Sequence, residues 1–322
     1  MLQVKHLSVE FQTDDGILTA VNDVSFEVNA GETLGLVGES GCGKSVSAMS
    51  IPRLVPQPPG RITNGEILLD GTDLLKLPIR EMHAIRGRDI GVIFQEPMTA
   101  LSPLHRIGDQ LIEVIQLHQK TSSKEARSIA LEWLKKVGIP AAETRLDSYP
   151  YELSGGMRQR VMIAMAMILH PKLIIADEPT TALDVTIQAQ ILELMRTIRG
   201  DNAALLLITH DMGVIWELCD RMAVMYASRI VEYGPVKEIF AQPRHPYTKG
   251  LMQSIPAFSK NTDRLTHIPG QVPSLLHLPQ GCAFADRCPF AKDDCRHCLP
   301  ELTGGDGHFC ACHHPLVTEN PS

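Results

Sequence analysis

The stretch Gly38-Glu39-Ser40-Gly41-Cys42-Gly43-Lys44-Ser45 decides the fold. It fits G-x-x-x-x-G-K-[ST], a loop whose backbone N–H groups cradle phosphates. Thr33-Leu34-Gly35-Leu36-Val37 before it reads as a short buried strand, and residues 46–54 after it as a helix. Strand, glycine-rich loop and helix, in that order, are the context this motif requires. Glycines tolerate positive φ and carry no Cβ, so the chain can wrap an anion closely. Successive N–H groups then point inward, and the helix adds its positive N-terminal end. Lys44 is expected to reach the β- and γ-phosphates of a nucleotide, and the Ser45 hydroxyl to hold Mg²⁺.

Composition bounds what this loop can belong to. The 322 residues suit one large or two modest domains. Hydrophobic content of 44% supports a core, and a formal net charge of -7 gives no sign of a nucleic-acid partner. Residues 1–5 lead straight into an alternating strand pattern, so no signal peptide is expected. No run of 18 apolar residues occurs, so no membrane span is expected, and the reading is cytosolic. Of eight cysteines, Cys42 and Cys219 stand alone; Cys282, Cys288, Cys295, Cys298, Cys310 and Cys312 all follow residue 281. In a reducing compartment that clustering favours a metal or cluster site over disulfides.

Working outward from the loop, residues 2–11 and 18–28 alternate as two strands of a small antiparallel sheet, joined by Thr13-Asp14-Asp15-Gly16. Phe11 either stacks on an adenine ring or is a core aromatic. Residues 65–71 read as an edge strand, and Pro78 opens a short helix to residue 85. Residues 90–94 form a compact buried strand with Gln95 at its carboxyl end, where ligand groups gather in open α/β sheets. Residues 107–119 and 123–137 are amphipathic helices, the second capped by Ser122 or Ser123. With no strand between them, they are a helical insertion in an alternating α/β pattern.

Leu153-Ser154-Gly155-Gly156-Met157 leads into a helix read over residues 157–169, a second anion-binding helix N-terminus. One nucleotide seldom needs two such cradles from one chain, so this one is expected to serve a neighbouring subunit's nucleotide. Leu173-Ile174-Ile175-Ala176-Asp177-Glu178 is an apolar strand ending in two carboxylates on opposite sides. Asp177 is expected to bind Mg²⁺ through water, and Glu178 to orient or deprotonate the attacking water. Thr181-Ala182-Leu183-Asp184, a helix over residues 185–199, and a buried strand over residues 203–208 ending at Thr209-His210-Asp211 follow. His210 is placed to reach a γ-phosphate. Residues 222–226 and 229–233 read as a closing hairpin.

These motifs together resemble the ATP-binding subunit of an ABC transporter: the loop at residues 38–45, Gln95, Ser154-Gly155-Gly156, Asp177 with Glu178, Asp184 and His210. The resemblance implies an α/β fold. It comprises a P-loop NTPase ABC ATPase core with an antiparallel β subdomain and an α-helical insertion, plus a Cys-rich C-terminal extension. The ATPase domain is expected over residues 1–234, its helical subdomain over about 97–165, and the extension over 235–322. The resemblance further implies a head-to-tail dimer. ATP then contacts Phe11, the loop and Asp184 of one chain, and Ser154, Gly155 and Gly156 of the other. Glu178, His210 and Gln95 are its catalytic residues, and Ser45, Gln95 and Asp177 its Mg²⁺ ligands.

Residues 235–312 are similar to a narrower group, the ATPases of dipeptide, oligopeptide and nickel importers. The stretches that carry this are His245-Pro246-Tyr247-Thr248-Lys249-Gly250-Leu251, Ile268-Pro269-Gly270 and Gly281-Cys282-Ala283-Phe284-Ala285-Asp286-Arg287-Cys288-Pro289. The similarity is to the first of two paired ATPase subunits. It implies a paralogous partner ATPase, two transmembrane permease subunits, an extracytoplasmic substrate-binding protein, and a peripheral position on the cytoplasmic face of the inner membrane. It also implies a [4Fe–4S] cluster on Cys282, Cys288, Cys295 and Cys312. Four thiolates suit either a cluster or tetrahedral Zn²⁺; a zinc site on Cys295, Cys298, Cys310 and Cys312, Cys310 in place of Cys312 as the fourth cluster ligand, and free thiols are the alternatives. Peptide is the expected cargo, with nickel the other reading. A non-transport ABC ATPase is disfavoured by the single cassette and the lack of sustained heptads.

Overall fold

A computed structural model describes residues 1–181, 184–200, 202–254 and 268–316; Ala182 and Leu183 of the Thr181-to-Asp184 stretch lie outside the described residues. The strands, in chain order, are β1 (Leu2–Thr13), β2 (Gly16–Val28), β3 (Thr33–Val37), β4 (Gly60–Leu69), β5 (Thr72–Asp73) and β6 (Ile90–Ile93). They continue with β7 (Leu173–Asp177), β8 (Ala204–Thr209), β9 (Arg221–Tyr226), β10 (Arg229–Pro235), β11 (Thr303–Gly305) and β12 (His308–Cys310). The chain divides into two units, one of residues 1–28, 33–75 and 208–322, the other of residues 29–32 and 76–207.

In the first unit, β1 and β2 are long alternating strands, and they pair antiparallel from Leu2↔Val28 to Thr13↔Gly16. Their alternation buries Leu2, Val4, Leu7 and Val9 on one side and leaves polar residues outside. The sheet order is β2-β1-β4-β5, so β4 lies between two strands. The sequence reading made residues 65–71 an edge strand. The strand in fact begins at Gly60 and pairs with β1 as far as Phe11↔Gly60. The polar residues 61–66, which weakened the pattern, sit on an exposed part of the ladder.

β3 is buried along its whole length, as an apolar run in a parallel ladder should be. It pairs parallel with β9, Val37 facing Val224. β9 and β10 form the expected hairpin, and β12 and β11 continue the ladder from β10. The C-terminal extension thus adds strands to the ATPase sheet. It also joins its core: Tyr247, Met252 and Phe284 pack in one cluster with Val37, Ile215, Val224 and Tyr226. A fully buried aromatic of this size contributes roughly 2–3 kcal/mol. The rings make tilted and edge contacts, Tyr226 to Tyr247 at 4.6 Å and Tyr226 to Phe284 at 5.3 Å.

The second unit carries the helical insertion. The helix Ile107–His118 buries Ile107, Leu111 and Ile115; the helix Ser123–Lys136 buries Ala126, Ala130, Trp133 and Leu134. Spacings of three and four residues put each set on one face. Ser122, rather than Ser123, caps the second helix by accepting the Glu125 N–H at 3.2 Å. The helix Gly155–Met167 is apolar nearly all round and correspondingly buried, with Val161, Met162, Ile163 and Ala164 at 2% exposure or less. β6 and β7 are parallel, with Ile93 facing Ala176. Two residues further on, that register sets Gln95 opposite Glu178.

Candidate functional site

The phosphate loop follows β3 as the sequence requires, but its helix spans Lys44–Ser50, starting and ending earlier than the 46–54 reading. Gly43 sits at the N-cap with φ 104°, which only glycine adopts without strain. A Cβ there would collide with the Ala20 carbonyl, and one on Gly38 with the Met225 carbonyl. Backbone bonds brace the loop: Ser228 N–H donates to Cys42 O at 3.1 Å, and Ser47 N–H to Gly43 O at 2.9 Å. Lys44 is 5% exposed, and its ammonium donates to Gly38 O at 2.8 Å and Glu39 O at 3.0 Å. Burial pushes the Cys42 thiol up, so it packs as a small apolar group.

The other residues of this unit are placed as follows. Phe11 lies in β1 opposite Leu18 on one side and Gly60 on the other, half-buried. His210 is the exposed residue directly after β8. Its turn is fixed on both sides. Thr209 Oγ1 accepts the Asp211 N–H at 3.0 Å, and Asp211 caps the helix Met212–Leu218 by accepting the Gly213 N–H at 2.8 Å.

In the second unit, Asp177 ends β7 buried at 6% exposure. The sequence reading set Asp177 and Glu178 on opposite faces of one strand. Glu178 instead leaves the strand with φ 45°, and this turn separates the two carboxylates. Glu178 Oε2 accepts Gln95 Nε2–H at 3.3 Å and Thr181 Oγ1–H at 2.9 Å. A carboxylate on such a left-handed backbone turn, held by two donors at a strand end, has the chemistry to orient a water or take its proton. Buried Gln159 supports the following turn by donating to Pro179 O.

Ser154 caps the helix Gly155–Met167 by accepting the Met157 N–H at 3.3 Å. The helix starts two residues before the 157–169 reading, because Gly155 and Gly156 are themselves helical. Ser154 and Gly155 are exposed, and nothing within 4 Å would meet a Cβ on Gly155. The positive end of a 13-residue helix is therefore open. Asp184 caps the helix Val185–Arg199, accepting the Ile187 N–H at 3.0 Å.

The extension brings together Cys282, Cys288, Cys295 and Cys312, which line one cavity with Phe284 and His245. Cys298 is exposed, and Cys310 is buried in β12; neither lines it. The zinc set of Cys295, Cys298, Cys310 and Cys312 is therefore not assembled. No three thiols lie within 4.8 Å of one another among the described residues, where the group that does converge is Asp294, Cys295 and His314. Burial pushes the thiols of Cys282 and Cys288 up, and that of Cys312 up to about 11.

His245 is 1% exposed, and burial holds its pKa near 4. Its Nδ1 accepts the Tyr247 N–H at 3.1 Å, so the neutral ring carries its proton on Nε2. That Nε2 is buried with no hydrogen-bond partner among the described residues. His245 entered the sequence reading only as part of a family stretch. Its position on the cysteine-lined cavity has no local sequence signal.

Two further groups tie the extension down. Glu232, wholly buried, accepts Arg244 N–H at 2.7 Å, His245 N–H at 3.0 Å and meets His308 Nε2 at 2.8 Å. Arg287 makes a two-pronged pair with Glu39 of the phosphate loop, at 2.6 and 3.0 Å. Neither pair shows in the sequence, since 76 and 248 residues separate His308 from Glu232 and Arg287 from Glu39.

Residues 21–181 match the ABC transporter family, and residues 231–295 the family described as oligopeptide/dipeptide transporter, C-terminal region. The chain is 49% identical over 308 residues to the oligopeptide transport ATP-binding protein OppD of Haemophilus influenzae, covering 94% of this chain and 93% of that one. It is 50% identical over 312 residues to OppD of Bacillus subtilis, covering 96% and 87%. Among solved structures it is similar to a dimeric ATP-binding cassette in a post-hydrolysis state bound to ADP and Pi. That match has TM-score 0.66 and 28% identity, over 73% of this chain and 99% of that one. On these matches over nearly its whole length, the chain belongs to the ATP-binding proteins of the ABC transporter family, in the group that carries the oligopeptide/dipeptide transporter C-terminal region.

Proposed function

We propose that this chain hydrolyses ATP to drive import of dipeptides or oligopeptides through a membrane permease. The observation that carries the cargo class is the match of residues 231–295 to a C-terminal region described by oligopeptide and dipeptide transport. Relatives named for oligopeptide transport over nearly the whole chain support it, and nickel is the lesser reading.

In this mechanism the loop N–H groups and Lys44 hold the β- and γ-phosphates, and Phe11 stacks on the adenine. Ser45, Gln95 and Asp177 hold Mg²⁺, Glu178 takes the proton of the attacking water, and His210 reaches the γ-phosphate. Ser154, Gly155 and Gly156 bind the γ-phosphate of the ATP held by a second ATPase chain, and Asp184 contacts the chain's own ATP. The open end of their helix supports a ligand arriving from outside the chain. The second chain is a paralogue, and the assembly includes two permease subunits and an extracytoplasmic binding protein. No helix among the described residues is long and apolar enough to cross a membrane. In this reading the chain binds its permease peripherally, on the cytoplasmic face of the inner membrane, as the relatives named for oligopeptide transport support.

The extension's residues fit a [4Fe–4S] cluster held by Cys282, Cys288, Cys295 and Cys312. A single zinc at about 2.3 Å from each sulfur would draw four thiols to within about 4 Å of one another. The thiols lie wider than that around their cavity, which favours a larger group. His245 adds an otherwise unpartnered Nε2–H donor, the kind of bond that thiolate and sulfide ligands accept. When bound, the cluster supplies cross-linking of the extension and sensitivity to oxidation.

Two measurements test these readings. Vesicles carrying the assembled transporter should accumulate a labelled tripeptide on ATP addition. Nickel uptake without peptide uptake would overturn the cargo, and ATP hydrolysis without any transport would overturn the coupling. Protein purified without oxygen should be brown, with about four iron and four sulfide per chain. Colourless protein holding one zinc would replace the cluster, with Asp294, Cys295 and His314 as its first candidate ligands.

A further inference from the structure

Glu39 occupies an awkward position. Its backbone belongs to a loop built to bind an anion, yet its side chain is itself an anion. The molecule grips the residue at three points. Tyr247 Oη accepts its N–H at 2.9 Å, Lys44 donates to its carbonyl at 3.0 Å, and Arg287 holds its carboxylate through two N–H groups. Two of these three grips come from the C-terminal extension.

Arg287 is immobilised in turn. Its Nε donates to Pro269 O at 2.9 Å, one terminal nitrogen to Ile268 O at 3.3 Å, and the other to Tyr226 Oη at 3.3 Å. The side chain is 6% exposed, and the guanidinium lies 5.7 Å from the Tyr226 ring centre and 5.9 Å from that of Phe284. A planar guanidinium held this way presents a fixed charge, which a flexible ammonium does not.

We propose that Arg287 is a positioning residue of the nucleotide site: it neutralises the Glu39 carboxylate and holds it off the phosphate loop, so that triphosphate meets a cradle of net positive charge. The C-terminal extension is then part of the ATP site rather than an appendage to it. The inference rests on residues 38–45 binding nucleotide, and the wild-type chain's own affinity checks that separately from the variant ratios below. A purely structural staple would also hold the loop, but its loss could not be repaired by removing a charge.

The experiment measures affinity for a fluorescent ATP analogue in the full-length protein, for Arg287→Met and for Arg287→Met with Glu39→Gln. Methionine keeps the apolar stem that packs beside Gly270. The single variant should bind about tenfold more weakly, as a unit charge a few ångströms from the phosphates implies, with the loss shrinking at high salt. The double variant should recover to within about threefold of wild type. Wild-type affinity in Arg287→Met overturns the proposal, and so does a double variant as weak as the single. Should Arg287→Met not fold, Glu39→Ala tests the pair from the other side. Arg287 is then left unpaired beside the loop, and analogue binding should tighten; a tenfold loss would overturn the proposal.

Discussion

Replacing Glu232 with alanine is expected to loosen the attachment of the C-terminal extension without touching the nucleotide loop. The side chain is wholly buried and has three partners: the N–H groups of Arg244 and His245, and the His308 ring. Alanine leaves two buried N–H donors and one imidazole without their acceptor. Each orphaned donor costs about 1–3 kcal/mol. Three such losses sum to at least about 3 kcal/mol, and with water partly replacing the carboxylate about 3–4 kcal/mol is expected. Hydrogen exchange reports on the extension itself, whereas a melting temperature reports on the whole chain, so a local observable is preferable. Hydrogen exchange at the Arg244 and His245 amides reads the loss directly. At about 1.4 kcal/mol per decade, exchange should quicken by roughly 10²–10³. Glu232→Gln keeps one acceptor and should show about half the effect in free energy. Exchange within threefold of wild type in the alanine variant would refute the reasoning, showing that the donors find other partners at little cost.

Two further outcomes follow from the site. Glu178→Gln keeps an oxygen for Gln95 and Thr181 to donate to, so ATP should still bind while hydrolysis falls by at least about 10². The variant should then accumulate as an ATP-bound dimer on size exclusion, and wild-type turnover would remove Glu178 as the base. Gly43→Ala forces a Cβ onto the Ala20 carbonyl at φ 104° and should destabilise its unit by more than about 2 kcal/mol in urea unfolding; a cost under about 0.5 kcal/mol would show that the loop relaxes freely.

Much of the ATPase was legible in the chain itself, because its signals are local. The phosphate loop is eight consecutive residues, and each catalytic strand is a short apolar run with a polar residue at its carboxyl end. Parallel pairing of β6 with β7 then sets Gln95 opposite Glu178. Element ends were less legible. The helix after Ser154 starts at Gly155 because a capping hydroxyl overrides the low helix propensity of glycine. β4 extends to Gly60 because pairing with β1, absent from any local pattern, holds its polar residues in the ladder.

The extension divides the same way. Its cysteine content and its His245-Pro246-Tyr247 stretch were plain in the sequence, and they carried the family likeness. Which four thiols share a cavity was not, since spacing treats Cys298 and Cys310 like the others; exposure removes the first and strand pairing the second. Only the tertiary structure decided that Glu232 anchors the extension and that Arg287 meets Glu39 across 248 residues. A charge shows in the sequence as a residue type. Its partner, and the burial that makes the pairing matter, exist only once the chain has folded.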